Sequence, residues 1–147
     1  MGSGTGVSRP TVVRRSTTRP LPMFLLELET EFSAAHAIVI AGQRERVHGH
    51  NFRVRATVAG ERLDADGLLC DFHAVAAWIE DILRPFRDAD LNATPPFDRI
   101  NPTAERVAEH VATALGAKLP SGVHVHSVRV TEATGCAAVF APEPRRG

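Results

Sequence analysis

The sequence predicts an α+β domain in which an antiparallel four-stranded sheet carries two consecutive helices on one face. Two observations point there: strand-period segments fall in pairs at either end of the chain, and two helix-period segments lie together between them. Residues 1–22 are rich in Ser, Thr, Gly, Pro and Arg, contain no acid and lack apolar periodicity, which predicts a flexible extension with some likeness to a transit peptide. From residue 24, Phe24, Leu26 and Leu28 alternate with Leu25, Glu27 and Glu29, and this first strand runs into Glu31-Phe32-Ser33. After a turn at Gly42, residues 48–59 form the second strand. His48, His50, Phe52, Val54 and Ala56 share one face there, opposite Asn51, Arg53, Arg55 and Thr57. Asp64-Ala65-Asp66-Gly67 is turn chemistry, and a short strand is expected over residues 68–71.

The first helix is expected to begin near Asp71, because Ala74, Val75, Trp78, Ile79 and Ile82 recur at helical spacing before Pro85 interrupts them. For the second, Asn101 reads as the N-cap and Pro102 as the first helical residue. Val107, Val111, Ala114 and Leu115 make its apolar stripe, and Gly116 its end. Val-rich alternation over residues 123–131 and a short segment over 137–140 supply the last two strands, leaving 142–147 as a tail.

Seventeen basic and seventeen acidic side chains balance in a chain of 147 residues, which removes any global attraction to nucleic acid or anionic membrane. No apolar run approaches the roughly 20 residues of a membrane span, and residues 1–22 hold no apolar signal core, so a soluble cytoplasmic protein is expected. The two cysteines, Cys70 and Cys136, form neither a disulfide framework nor a CxxC pair, so any metal falls to the seven histidines.

His48-Gly49-His50 puts two imidazoles on one strand face, about 6.5 to 7 Å apart along the backbone. His36, just past the first strand, joins them if the two strands pair. Three neutral imidazoles with an open position form a donor set of catalytic zinc. Taken alone, an HxH pair equally describes hydrogen-bonded surface histidines.

Phe32-Ser33-Ala34-Ala35-His36 followed by His48-Gly49-His50-Asn51-Phe52 resembles the 6-pyruvoyl-tetrahydropterin synthase family, which includes the 6-carboxy-tetrahydropterin synthases. Asp71-Phe72, Leu91-Asn92, Asn101-Pro102-Thr103-Ala104-Glu105 and Val130-Thr131-Glu132 match in order, and the likeness spans residues 23–141. The resemblance implies a tunnelling fold that oligomerises through its strands into a barrel, as a homohexamer. It also implies zinc on His36, His48 and His50, and a small-molecule pterin anchored by Glu132. That anchor has a physical basis, since a carboxylate accepts both the exocyclic amine and the adjacent ring N–H of a 2-amino-4-oxopteridine. Without the resemblance, Glu132 reads as a solvated strand residue. Thr103 and Glu105 are further substrate-binding candidates, although a helix dipole alone also favours an acid at Glu105.

The departures are informative. Members that make the pyruvoyl or carboxy product carry a basic cysteine shortly before the HGH motif and an Asp-His pair before Leu-Asn. Here residues 42–47 hold no cysteine, Arg87 and Asp88 occupy the Asp-His positions, and neither Cys70 nor Cys136 substitutes by position. Arg44-Glu45-Arg46-Val47-His48 resembles a variant branch with glutamate three residues before the HGH motif, associated with side-chain cleavage of dihydroneopterin toward 6-hydroxymethyl-dihydropterin. Glu45 is thus the candidate base, against a loop charge paired with Arg44 and Arg46. Asp88 and Asp90 could supply a second carboxylate, with Asp88 the catalytic candidate, against capping chemistry for an Asp-Ala-Asp segment before a Leu-Asn turn. The implied activity is a zinc-dependent lyase on 7,8-dihydroneopterin triphosphate or a close relative. The alternatives are 6-carboxy-tetrahydropterin synthesis and a catalytically silent pterin-binding protein.

Overall fold

Alternation of apolar and polar residues is realised over two long strands, β1 (Phe24–His36) and β4 (His48–Gly60), which pair antiparallel from Phe24 opposite Gly60 to His36 opposite His48. The structure is a computed structural model and describes residues 23–143. The expectations for residues 1–22 and 144–147 lie outside the described residues. Between the long strands, β2 (Val39–Ile40) and β3 (Gln43–Arg44) form a hairpin of their own. Its two central residues, Ala41 and Gly42, have φ of 49° and 78°, the left-handed pair that matches the twist of a tight hairpin.

The remaining elements are α1 (Phe72–Leu83), β5 (Ala89–Asp90), α2 (Ala104–Gly116), β6 (Val123–Ala133) and β7 (Cys136–Phe140). The main sheet has the order β5-β1-β4-β6-β7. All its pairings are antiparallel except β5, which joins β1 parallel at Ala34 and Ala35. The expected four strands are therefore five, since a two-residue strand has no period to read. The expected strand over residues 68–71 is absent. Asp64 instead folds that segment into a turn, its carboxylate taking the N–H groups of Asp66 and Leu68. Leu69 then packs onto Gly60, where an added Cβ would lie only 2.6 Å from the Leu69 side chain.

Asp71 caps α1 by accepting the N–H of His73 at 2.8 Å. The N-cap of α2 is Thr103, whose hydroxyl accepts from Arg106, and not Asn101 as expected. Asn101 is drawn off to the loop after β1, where its amide pairs with both the N–H and the C=O of Val39 at 2.8 and 2.9 Å.

Val75, Ile79, Ile82 and Leu83 of α1 join Val107, Val111 and Leu115 of α2 in one core with Phe32, Phe52, Val54, Ala56 and Val58. Each large side chain so buried contributes about 1.5 to 3 kcal/mol. On β6 the buried residues are Val125, Val128 and Val130. The step of three between the first two is absorbed by a bulge, since Thr57 faces Ser127 while Val58 faces Val125. A second bulge, between β6 and β7, falls at Glu132. No helix among the described residues is long and apolar enough to cross a membrane.

Candidate active site

The core face of β1 and β4 changes character at one end. Phe32 and Phe52 stack with centroids 5.1 Å apart, and beyond them the same face carries His50, His48 and His36. One ligand atom from each of the three imidazoles lies within 4.8 Å of the other two. The triad thus inherits its position from the hydrophobic register beneath it.

Hydrogen bonding fixes two of the tautomers. His36 Nδ1 is 2.8 Å from the carbonyl of Pro102, and His48 Nδ1 is 2.8 Å from that of Arg46. A carbonyl only accepts, so each Nδ1 carries a proton, which in the neutral ring leaves the Nε2 lone pair free to ligate. His36 is fully buried, and the Nε2 atoms of His36 and His50 are buried with no hydrogen-bond partner among the described residues. An orphaned buried acceptor costs about 1 to 3 kcal/mol. Two unpartnered imidazole nitrogens in a group whose ligand atoms lie within 4.8 Å of one another fit a cation. Burial lowers the His50 pKa from its ordinary 6.5, and the neighbouring His36 and His48 push the same way against Glu132 and Glu45. The shift favours the neutral ring, the form a metal ligand needs.

Glu132 joins the triad, its Oε1 3.9 Å from His50 Nε2. The bulge at Glu132 interrupts the ladder where this carboxylate meets the imidazole. Glu45 lies close enough for its charge to act on His50, and it forms no ion pair with Arg44 or Arg46 among the described residues. The loop that carries it is pinned by Asn92, whose amide spans the N–H and C=O of Ala37 at 2.7 and 2.8 Å, and by Asn101 at Val39. The Glu45 N–H itself donates to Ile38.

Asp88 lies in the turn before β5. It lines a cleft of about 630 Å³ with Ser33, Gly49, His50 and Asn51. Asp90, not Asp88, does the capping, taking the N–H of Asn92. Thr103 and Glu105 do not reach this cleft: Thr103 caps α2, and Glu105 is exposed in its first turn. They adjoin the triad only through Pro102.

The sequence also matches the profile of 6-pyruvoyl tetrahydropterin synthase over residues 25–143. The chain belongs to that family. A putative 6-carboxy-5,6,7,8-tetrahydropterin synthase of Archaeoglobus fulgidus is 30% identical over 108 residues, 74% of this chain and 87% of the relative. The 6-carboxy-5,6,7,8-tetrahydropterin synthase of Synechocystis is 32% identical over 127 residues, 82% of this chain and 95% of its own length. The dihydroneopterin monophosphate aldolase of Pyrococcus furiosus is 28% identical over 101 residues, 69% of this chain and 82% of that enzyme. Among solved structures, the Caenorhabditis elegans 6-pyruvoyl tetrahydropterin synthase superposes with a TM-score of 0.72 at 20% identity, covering 84% of this chain and 98% of that one. A Plasmodium vivax 6-pyruvoyltetrahydropterin synthase in which a catalytic glutamate is replaced by alanine gives 0.68 at 16%, covering 82% and 98%.

Enzymes of the 6-pyruvoyl tetrahydropterin synthase family use a metal, and among the described residues the triad is a group that could hold one. Sequence reasoning missed the two carbonyls that orient His36 and His48, because a backbone acceptor leaves no residue signature. It also passed over Asn92 and Asn101 as site residues, although both stood in the family motifs and their paired amide bonds hold the loop of Glu45.

Proposed function

We propose that this member of the 6-pyruvoyl tetrahydropterin synthase family is a zinc-dependent lyase that cleaves the side chain of 7,8-dihydroneopterin triphosphate or a close relative toward 6-hydroxymethyl-dihydropterin. The observation that carries the proposal is the convergence of three imidazoles within 4.8 Å, with the Glu132 carboxylate 3.9 Å from one of them. His36, His48 and His50 would hold zinc, which supplies Lewis-acid polarisation of side-chain oxygens when bound. Glu132 accepts from the 2-amino group and the ring N–H, which orients the pterin. Glu45 takes the proton of the 2′-hydroxyl as the C1′–C2′ bond breaks and its electron pair passes into the conjugated ring. Return of a proton to C1′, with Asp88 as the second carboxylate, gives the hydroxymethyl group and a released two-carbon aldehyde.

Two relatives support this chemistry: the aldolase name of the Pyrococcus protein, and the catalytic glutamate of the Plasmodium enzyme. Thr103 and Glu105, which line neither the cleft nor the surface at Glu132, are assigned no contact to the pterin. Assembly into a homohexamer belongs to the same proposal. Among the described residues no strand pairs with the outer edge of β1 before Glu31, and β7 ends the other side of the sheet, so two edges are open for pairing with copies.

The names of the Archaeoglobus and Synechocystis relatives favour a second reading, 6-carboxy-tetrahydropterin synthesis. That reading lacks a thiol base. Burial, then the charge of Asp71, pushes the Cys70 thiol up in pKa, so it stays protonated. Product analysis on 7,8-dihydroneopterin triphosphate with zinc present separates the possibilities. 6-Hydroxymethyl-dihydropterin supports the proposal, carboxy-tetrahydropterin selects the second reading, and tight binding without product leaves a silent pterin-binding protein.

A further inference from the structure

The turn between α1 and β5 holds a clamp that the proposed chemistry does not itself use. Arg87 spreads its guanidinium between two elements: Nη1 donates to the carbonyl of Glu31 on β1 at 2.9 Å, and Nη2 to Glu80 on α1 at 2.5 Å. Thr30 donates to the other oxygen of Glu80 at 2.8 Å. Burial alone would raise the Glu80 carboxyl, but the bonds from Thr30 and Arg87 outweigh it and keep the group ionised below the usual range. One fork therefore ties β1, α1 and the turn together.

The next residue, Asp88, has a φ of 54°, in the left-handed region that few non-glycine residues adopt. Its N–H donates to Ser33 at 2.7 Å, and β5 starts one residue later. Asp88 is exposed and lines the cleft that His50 also lines, and its carboxylate makes no hydrogen bond or ion pair among the described residues. Such a conformation persists only where its surroundings over-determine it. Here those surroundings are the Ser33 carbonyl on one side and the Arg87 fork on the other.

We infer that Arg87 is a positioning residue: by bracing the turn against Glu31 and Glu80, it holds Asp88 in the left-handed conformation that presents its carboxylate to the cleft beside His50. For its consequence on turnover the inference rests on the proposed lyase reading. For its consequence on Asp88 it does not. In this chain the two residues at the family's Asp-His positions thus divide their work, Arg87 facing the scaffold and Asp88 the cleft.

The test compares metal-loaded wild type with Arg87→Gln, Arg87→Lys, Asp88→Asn and the double variant Arg87→Gln/Asp88→Asn. Amide hydrogen exchange at Asp88 is expected to quicken about tenfold or more in Arg87→Gln as the turn opens locally. Turnover should fall about 10- to 100-fold, with KM and metal content unchanged. Arg87→Lys should behave alike, since an ammonium cannot span both acceptors. The double variant should be no slower than Asp88→Asn within about twofold, because both changes act through one carboxylate. Wild-type exchange at Asp88 in Arg87→Gln, full turnover in Arg87→Lys or in Asp88→Asn, or a multiplicative loss in the double variant would each overturn the inference. A wild type that yields no product would refute the lyase reading, while exchange at Asp88 would still decide the positioning.

Discussion

His36 and His48 are the last cross-strand pair of β1 and β4, directly opposite each other with ring centroids 4.8 Å apart and planes 70° apart. The convergence of the three imidazoles is therefore a property of strand register. A slip of one residue would turn His48 and His50 to the charged face of the sheet and bury Arg53 in place of Phe52 or Val54.

Each of His36→Ala, His48→Ala and His50→Ala is expected to lose most bound zinc, because two imidazoles leave the coordination shell incomplete. Metal analysis of the purified variants checks this. Full occupancy in all three would mean that zinc sits elsewhere.

Glu132→Ala should weaken pterin binding while zinc content stays at the wild-type level. Each hydrogen bond lost to a charged acceptor is worth about 1.5 to 3 kcal/mol, or more than tenfold in affinity. Calorimetric titration with a dihydropterin reads the difference, and an unchanged affinity would assign the anchor to another group.

Asn92→Ala should lower stability by about 1 to 3 kcal/mol, since it strips partners from both backbone groups of Ala37. Exchange of the Ala37 amide should quicken at the same time. A melting temperature equal to that of wild type would show that water replaces the lost amide without cost.

His110 packs against Phe86 and Phe97 at 5.5 Å from each, and burial lowers its pKa from the ordinary 6.5. As pH falls below that value the unfolded chain takes up this proton before the folded one does. The associated stability is thus complete above 6.5 and declines as pH drops toward the folded pKa. Urea midpoints of wild type should fall more steeply than those of His110→Leu between about pH 7.5 and pH 5.5. Parallel pH dependence in the two proteins would contradict this account of His110.

What was legible in the sequence divides along physical lines. Strict alternation around Phe52 and Val54 marked β4, and helical spacing of Val75, Ile79 and Ile82 marked α1, because burial on one face leaves a period in the residues themselves. β5 was invisible, since Ala89 and Asp90 become a strand only through the turn at Asp88. Leu68 and Leu69 look like a strand but have no ladder partner, Leu69 being drawn onto Gly60. Asn101 carries good capping chemistry, yet Val39 claims its amide, so the cap passes to Thr103. His36, His48 and His50 could be named as a group once β1 and β4 were paired, and the family motif named them directly. The bulge that meets His50 at Glu132, the backbone carbonyls behind two imidazoles, and the turn of Arg87 away from the cleft depend on tertiary contacts that no local pattern records.

The central claim is that Glu45, beside a three-histidine metal centre, moves the proton that breaks the substrate side chain. Turnover of 7,8-dihydroneopterin triphosphate by zinc-loaded wild type and Glu45→Gln tests it most directly, with zinc content and pterin affinity measured on both. The glutamine keeps the size of the side chain but cannot accept the proton. The account predicts 6-hydroxymethyl-dihydropterin from wild type and a loss of about 10² to 10⁴-fold in the variant, at unchanged zinc and pterin binding. A surface carboxylate, worth only about 0 to 1 kcal/mol in any ion pair, predicts no such loss, and near-normal turnover in Glu45→Gln would contradict the claim.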